Sequence, residues 1–267
     1  MHGTILIAGY GTMTGAMVEG WLRAGVPAAS ITACGPNRKP VPHGMRFVTG
    51  VPDGRFDFLV LGMKPQVLAE AAPGLEGLAG PGTVVISVLA GVELASLARR
   101  FPRAGGIVRL MPNLAAALGK SPVALAPSGL DGRQCDAVTD LAAKLGSAEW
   151  LADEDQFDLV TALAGSGPGF VYRFIDALAA AGARLGLDEE QAQRLALQMV
   201  EGASALAAGS PHSPGELARR VASPGGMTQK GLDVLDHDEA LVRLLAETLR
   251  AARDRGREMA QAAREEG

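Results

Sequence analysis

Cysteine is nearly absent. The 267 residues hold two, Cys34 and Cys135, far apart and at no metal-binding or redox spacing. This excludes a disulfide-stapled secreted domain, and the chain is expected to be cytoplasmic and free of disulfides. Histidine is scarce too: the four present form no His-x-x-x-His pair. Asp236-His237-Asp238-Glu239 reads as the acidic first turn of a solvated helix, so no metal is expected. Positive charge is not in surplus. With 29 acids against 25 Lys and Arg the net charge is −4, which offers no footprint for nucleic acid or an anionic membrane surface. No apolar run reaches membrane-spanning length, and because the first one begins so early no signal peptide is expected. There is no internal repeat. What remains, 48% hydrophobic and 20% charged residues, suits a globular chain with two domains and a sizeable core.

The chain is organised around its first stretch. Ile5 to Ala8 reads as a buried parallel strand, broken at Gly9 and Gly11 and followed by a helix with Met17, Trp21 and Leu22 at helical spacing. Strand, glycine turn and helix open a nucleotide-binding βαβ unit. Gly9 permits the tight turn, and Gly11 lets a pyrophosphate lie against the backbone. The helix start at Thr12 and Met13 offers N–H groups to that anion. Thr14 stands where the fingerprint has its third glycine, so the same residues also fit a strand–turn–helix without a ligand.

Further strands are expected at Ile31–Ala33, Phe47–Val48, Phe58–Leu61, Val84–Val88, Ile107–Leu110, Val123–Leu125 and Ala148–Leu151. Alternating with helices, they predict an α/β chain. Residues 1–152 form a doubly wound, mostly parallel dinucleotide-binding domain of Rossmann type, and residues 153–267 an all-helical domain. In the helical half, Gly165 to Gly169 is expected to interrupt. Phe170, Phe174, Leu178, Ala181 and Leu185 predict one buried stripe, and Ala192, Leu195, Met199, Ala203 and Leu206 another. Asp188 with Gln191 resembles a capping box. Small residues from Ala179 to Ala183 allow close helix approach, which suits intertwining with a second copy as well as a monomeric bundle.

The end of the second strand chooses the cofactor. NAD readers place an acid there for the ribose 2′-OH, but this region reads Gly35-Pro36-Asn37-Arg38-Lys39. Arg38 suits a 2′-phosphate bidentately and Lys39 adds charge, so NADPH is expected, with NADH as the alternative. A solvated basic loop would look the same. Three other strand ends converge on the crevice. Met63-Lys64-Pro65 has Pro65 at a helix start and Lys64 near the cofactor. Ala90-Gly91 is small enough for a nicotinamide ribose, and Asn113 can bond an amide or ribose group. Each alone also fits a turn. Far downstream, Ser223-Pro224-Gly225-Gly226-Met227-Thr228 bares the backbone before a helix, a geometry that binds a carboxylate, with Thr228 as cap or ligand contact.

These blocks resemble the pyrroline-5-carboxylate reductase family. The pattern stands as Gly62-Met63-Lys64-Pro65-Gln66, Ile86-Ser87-Val88-Leu89-Ala90-Gly91-Val92 and Arg109-Leu110-Met111-Pro112-Asn113. It continues as Thr161-Ala162-Leu163-Ala164-Gly165-Ser166-Gly167-Pro168 and Ser223 to Thr228, in order over nearly the whole chain. Thr12 and Thr14 depart from it, where the family usually has Asn and Gly. The resemblance implies NADPH-dependent reduction of the cyclic imine 1-pyrroline-5-carboxylate to L-proline, by hydride transfer to the imine carbon. It implies that Gly225, Gly226 and Met227 offer N–H groups to the substrate carboxylate. Thr228, the catalytic candidate, would bond the ring nitrogen or carboxylate, and Glu154 would stand near the substrate amine. It also implies an intertwined homodimer, with a decameric ring as further assembly, in which one chain's cofactor domain meets another's helices. Two rivals share the two-domain plan: another NADP-dependent imine or hydroxyacid oxidoreductase, and a non-catalytic cofactor-binding regulatory protein. Against a hydroxyacid dehydrogenase, no Lys and Asn share a helix turn after Pro168.

Overall fold

Each expected apolar run forms a strand of a single sheet. In the computed structural model, which describes residues 3–265, the strands are β1 (Ile5–Ala8), β2 (Ile31–Gly35), β3 (Arg46–Thr49), β4 (Phe58–Leu61), β5 (Val84–Ser87), β6 (Gly106–Met111), β7 (Ser121–Ser128) and β8 (Gly146–Trp150). Their order is β3-β2-β1-β4-β5-β6-β7-β8, and only the β6–β7 pair is antiparallel. Connecting helices include α1 (Thr12–Arg23), α2 (Leu68–Leu75), α3 (Leu94–Arg100) and α4 (Gly132–Ala143).

The strands are apolar throughout because both faces are covered. Ile5 and Ile7 point with Val60 and Ile86 into a core closed by Met17, Val18 and Trp21 of α1 and by Val138 and Leu141 of α4. Leu6 and Ala8 point with Leu59, Leu61 and Val85 into a second core, under Leu68 and Leu75 of α2 and Leu97 of α3. The period of two thus separates two layers of helices. Trp21 is kept inside by its indole N–H, which donates to the Leu141 carbonyl at 3.0 Å.

The chain divides later than its strand pattern implies. One compact unit runs through Ser166 and resumes at Ala251; the other is Gly167–Arg250. Residues 153–166 stay with the sheet because their side chains are anchored in it. Phe157, on the short helix α5 (Phe157–Val160), is buried in the second core. Nor do Gly165 to Gly169 interrupt as a block: Thr161–Gly165 is a turn of π-helix, and Gly167 already opens the next helix.

The second unit holds α6 (Gly167–Arg184), α7 (Glu189–Ala208), α8 (Pro214–Val221), α9 (Met227–Asp236) and the first part of α10 (Ala240–Glu265). Asp188 caps α7 as expected, its carboxylate accepting from the Gln191 N–H at 3.0 Å. The buried stripes are a correction. The core of this unit is Ala179, Ala192 and Ala196, with Ile175 and Leu178 against it. Phe174, Leu195, Met199 and Leu206 are exposed, and Leu185 is 90% exposed. Periodicity marked faces that need cover, and a single chain does not cover them. The acidic segment is corrected as well: His237–Glu239 is a kinked joint between α9 and α10, with positive φ at Asp238 and Glu239, rather than a plain first turn. Among the described residues no helix is long and apolar enough to cross a membrane, and no group of three His, Cys, Asp or Glu is placed to hold a metal ion.

Candidate active site

Parallel registration lines up the ends of the central strands. Ala8 is level with Cys34 and with Leu61, Leu61 with Ser87, and Ser87 with Arg109. The loops that follow therefore leave the sheet along one edge, on either side of the point where strand order reverses between β1 and β4. Ligands of doubly wound sheets bind in that crevice.

At its centre the chain turns on Gly9, at φ +94, where a side chain would stand 2.5 Å from the Met63 nitrogen. The first bond of α1 runs from Gly15 N–H to Gly11 C=O, so the N–H groups of Thr12, Met13 and Thr14 have no carbonyl within the helix. Beyond its own chain neighbours and helix backbone, none of the described residues stands within 4 Å of where a Cβ on Gly11 would lie. Open space before unpaired N–H groups is a cradle that fits a pyrophosphate.

Thr14, in place of the third glycine, is 1% exposed. Its hydroxyl accepts from the Gly11 N–H at 2.9 Å and lies 3.1 Å from the Gly9 carbonyl. Its methyl fills the space beside Gly62, where a Cβ would come within 2.2 Å of it. The close helix–strand packing of the usual fingerprint is kept, with the glycine moved from the helix to the end of β4. Both residues were visible in the sequence, but not their exchange.

Asn37, Arg38 and Lys39 are exposed on the loop after β2. Lys39 reaches back to the glycine turn, its ammonium donating to the Tyr10 carbonyl at 2.7 Å. No acid stands on this loop, so its residues fit a 2′-phosphate better than a bare ribose. Cys34, just before it, is held neutral: burial pushes its thiol up to about 11. Pro65 opens a short 3-10 turn with Lys64 as its exposed N-cap, as expected. Pro65 and Ala90 share a cleft of about 210 Å³ with Arg100, Arg255 and Met259.

Three expected roles change. Gly91, at φ +73, is buried against Met259 and Ala260 at the end of α10, with a Cβ position 3.1 Å from the Ala260 nitrogen. Backbone, not a ribose, lies against it. Asn113 is 5% exposed and its side chain is occupied at both ends. Its Oδ1 accepts from the Ala115 N–H and its Nδ2 donates to the Ala164 carbonyl, each at 2.9 Å. It fastens the π-turn to the end of β6. Glu154 belongs to the sheet: Oε1 accepts from Arg109 at 2.7 Å and from the Leu94 N–H at 2.9 Å. Arg109 is 4% exposed and lies 3.8 Å from the centre of the Phe157 ring, so Glu154 is the counter-charge of a buried guanidinium. A lone arginine in an apolar strand was the available signal.

In the second unit, Ser223 to Gly226 is a turn closed by the Gly226 N–H on the Ser223 carbonyl at 2.9 Å. Pro224 and then Gly225, at φ +72, are the residues a type II turn requires. The turn consumes the Gly226 N–H. The first bond of α9, from Lys230 N–H to Gly226 C=O, leaves those of Met227, Thr228 and Gln229 unpaired within the helix. Met227 and Thr228 are exposed. The N-cap of α9 is Gly226 with no side-chain bond, so Thr228 is the second helical residue and not a cap.

A doubly wound sheet with a glycine turn, a basic second loop and small strand ends along one edge defines a dinucleotide-dependent oxidoreductase. Residues 154–259 match the family model for pyrroline-5-carboxylate reductase dimerisation. The chain is 34% identical to pyrroline-5-carboxylate reductase of Pseudomonas aeruginosa over 96% of its own length and 97% of the relative's. The solved pyrroline-5-carboxylate reductase of Coxiella burnetii has a TM-score of 0.87 at 28% identity, covering 97% of this chain and 99% of that one. Plasmodium falciparum pyrroline carboxylate reductase, solved with NADP bound, shares the fold at TM-score 0.80 and 22% identity, covering 97% and 98%. The chain belongs to the pyrroline-5-carboxylate reductase family.

Proposed function

We propose that the chain reduces 1-pyrroline-5-carboxylate to L-proline with NADPH, the last step of proline biosynthesis, in the cytoplasm. The observation that carries this reading is the common edge of strand ends, with its glycine turn and acid-free basic loop, in a member of this family. NADPH, when bound, supplies the hydride taken up by the imine carbon. The chain's own work is orientation. Thr12 and Met13 bind the pyrophosphate through N–H groups, Arg38 and Lys39 the 2′-phosphate, and Asn37 stands beside the ribose. Met63, Lys64, Pro65 and Ala90 line the crevice. The N–H groups of Met227 and Thr228 hold the substrate carboxylate, and the Thr228 hydroxyl bonds the carboxylate or ring nitrogen. No side chain is assigned the proton, which a protonated imine already carries.

The direct test is loss of NADPH absorbance on adding 1-pyrroline-5-carboxylate, with proline identified as product. NADP-linked oxidation of 2-hydroxyacids instead would move the chain to another activity of the same plan. Binding of NADPH without turnover would make it a regulatory protein.

Cofactor choice gives a second measurement. Arg38→Ala is expected to raise KM for NADPH about 10-fold or more and leave NADH nearly untouched, since a charge-assisted hydrogen bond is worth about 1.5–3 kcal/mol. Equal losses with both cofactors would remove Arg38 from the 2′-phosphate.

The active form is proposed to be an intertwined homodimer, with a decameric ring as its further assembly. Support comes from the dimerisation match and from the uncovered faces of α6 and α7, an apolar exposure that marks interaction surfaces. Ala181 is exposed on α6. Ala181→Asp should therefore leave the single chain folded and lower the mass seen by light scattering. A wild-type chain that is monomeric and fully active at working concentration would refute the dimer.

A further inference from the structure

We infer that Thr14 is a positioning residue for the cofactor pyrophosphate, acting as an internal clamp on the glycine turn. The inference rests on the reading of that turn as the NADPH site. A glycine or alanine at this point of the fingerprint has no polar side-chain atom. Thr14 brings a hydroxyl into a buried niche and uses it twice. It accepts the Gly11 N–H at 2.9 Å, and its own O–H has the Gly9 carbonyl at 3.1 Å and the Gly11 carbonyl at 3.3 Å as acceptors. One side chain thus ties together both glycines of the turn. The arrangement is the return half of a capping box, with the third helical residue holding the N–H of the N-cap.

Two consequences follow from the donor inventory. The Gly11 N–H points back to Thr14 and is not offered to the anion. Binding falls to the N–H groups of Thr12 and Met13, on a first turn where Thr12 is exposed. The turn is also held in shape before the ligand arrives, so less ordering is left to occur on binding. The methyl has a separate task. It fills the gap beside Gly62, where no side chain could stand. Hydroxyl and methyl can therefore be removed one at a time.

Thr14→Val removes the hydroxyl and keeps the shape; Thr14→Ser keeps the hydroxyl and removes the methyl. Binding of NADPH is measured by calorimetry, with adenosine 2′-monophosphate, which has the 2′-phosphate and no pyrophosphate, as the second probe. Melting temperature is recorded on each sample. Thr14→Val is expected to raise Kd for NADPH about tenfold, because ordering of the turn then falls to the binding step, and to leave the 2′-monophosphate unchanged. Thr14→Ser is expected to bind NADPH like wild type, even at a lower melting temperature. Unchanged or tighter NADPH binding by Thr14→Val overturns the clamp, as does a Thr14→Ser variant that loses as much as Thr14→Val. If Thr14→Val does not fold, Thr14→Ala against Thr14→Ser carries the same comparison. A wild-type protein that binds no NADPH overturns the cofactor reading, and the clamp with it. One that binds, with no difference among the variants, overturns the clamp alone.

Discussion

Glu154→Ala is expected to lower the melting temperature by roughly 6–12 °C while leaving KM for the substrate near its wild-type value. The reason is Arg109. Its guanidinium is buried within the sheet, and its Nε finds no hydrogen-bond partner among the described residues. The Glu154 carboxylate, at 2.7 Å, is what balances the charge. Removing one partner of a buried pair strands the other, at a cost of about 3–5 kcal/mol. Glu154 is itself partly exposed, so the lower end applies, and each kcal/mol moves the midpoint of a domain this size by roughly 2–4 °C. The same substitution also frees the Leu94 N–H at the start of α3. Glu154→Gln should fall between, since an amide oxygen still accepts from Arg109 but brings no charge. Replacing both partners together, Glu154→Leu with Arg109→Met, should recover much of the loss, because an apolar pair asks for no counter-charge. If Glu154 served the substrate amine instead, Glu154→Gln would raise KM at an unchanged melting temperature. Thermal unfolding and a substrate titration on the same three variants and the wild type separate the two roles.

The same residue shows what the sequence conveyed and where it fell silent. The strands were legible because a sheet covered on both faces leaves an uninterrupted apolar run, as in Ile5–Ala8 and Phe58–Leu61. The glycine turn and Pro65 were legible because backbone geometry admits few other residues there. Long-range pairing was not. Nothing near Glu154 in the chain announces Arg109, and nothing near Asn113 announces the Ala164 carbonyl. These partners lie 45 and 51 residues away. The domain boundary moved for the same reason: residues 153–166 hold no strand, yet Phe157 and Glu154 bind them to the sheet. The stripe on α6 failed differently. Helical periodicity says that a face will be covered, not by what, and here the single chain covers Ala179 rather than Leu185.

Thr228→Ala is expected to lower kcat/KM for 1-pyrroline-5-carboxylate by roughly tenfold or more, with NADPH affinity and melting temperature unchanged. A threonine at a helix start is ordinarily a cap, and its loss then costs about 1 kcal/mol of stability. That role is closed here, since Gly226 occupies the N-cap position and Thr228 follows Met227 within α9. Its exposed side chain packs against no core, and surface changes of this kind stay within about 0.5 kcal/mol. What it retains is position: a hydroxyl on the first turn of a helix whose Met227, Thr228 and Gln229 N–H groups are unpaired within the helix. A carboxylate drawn to those groups would take the hydroxyl as one more donor. One hydrogen bond to a charged group is worth about 1.5–3 kcal/mol, which sets the size of the loss. Thr228→Ser should keep most of the activity, because the donor remains. The measurement is a steady-state titration of the imine at saturating NADPH, with melting recorded on the same samples. A Thr228→Ala variant with wild-type kcat/KM would take Thr228 out of the substrate site. Loss of kcat/KM together with a lower melting temperature would instead mean that the substitution disturbs the turn from Ser223 to Gly226, and the Ser variant would then fail to rescue it.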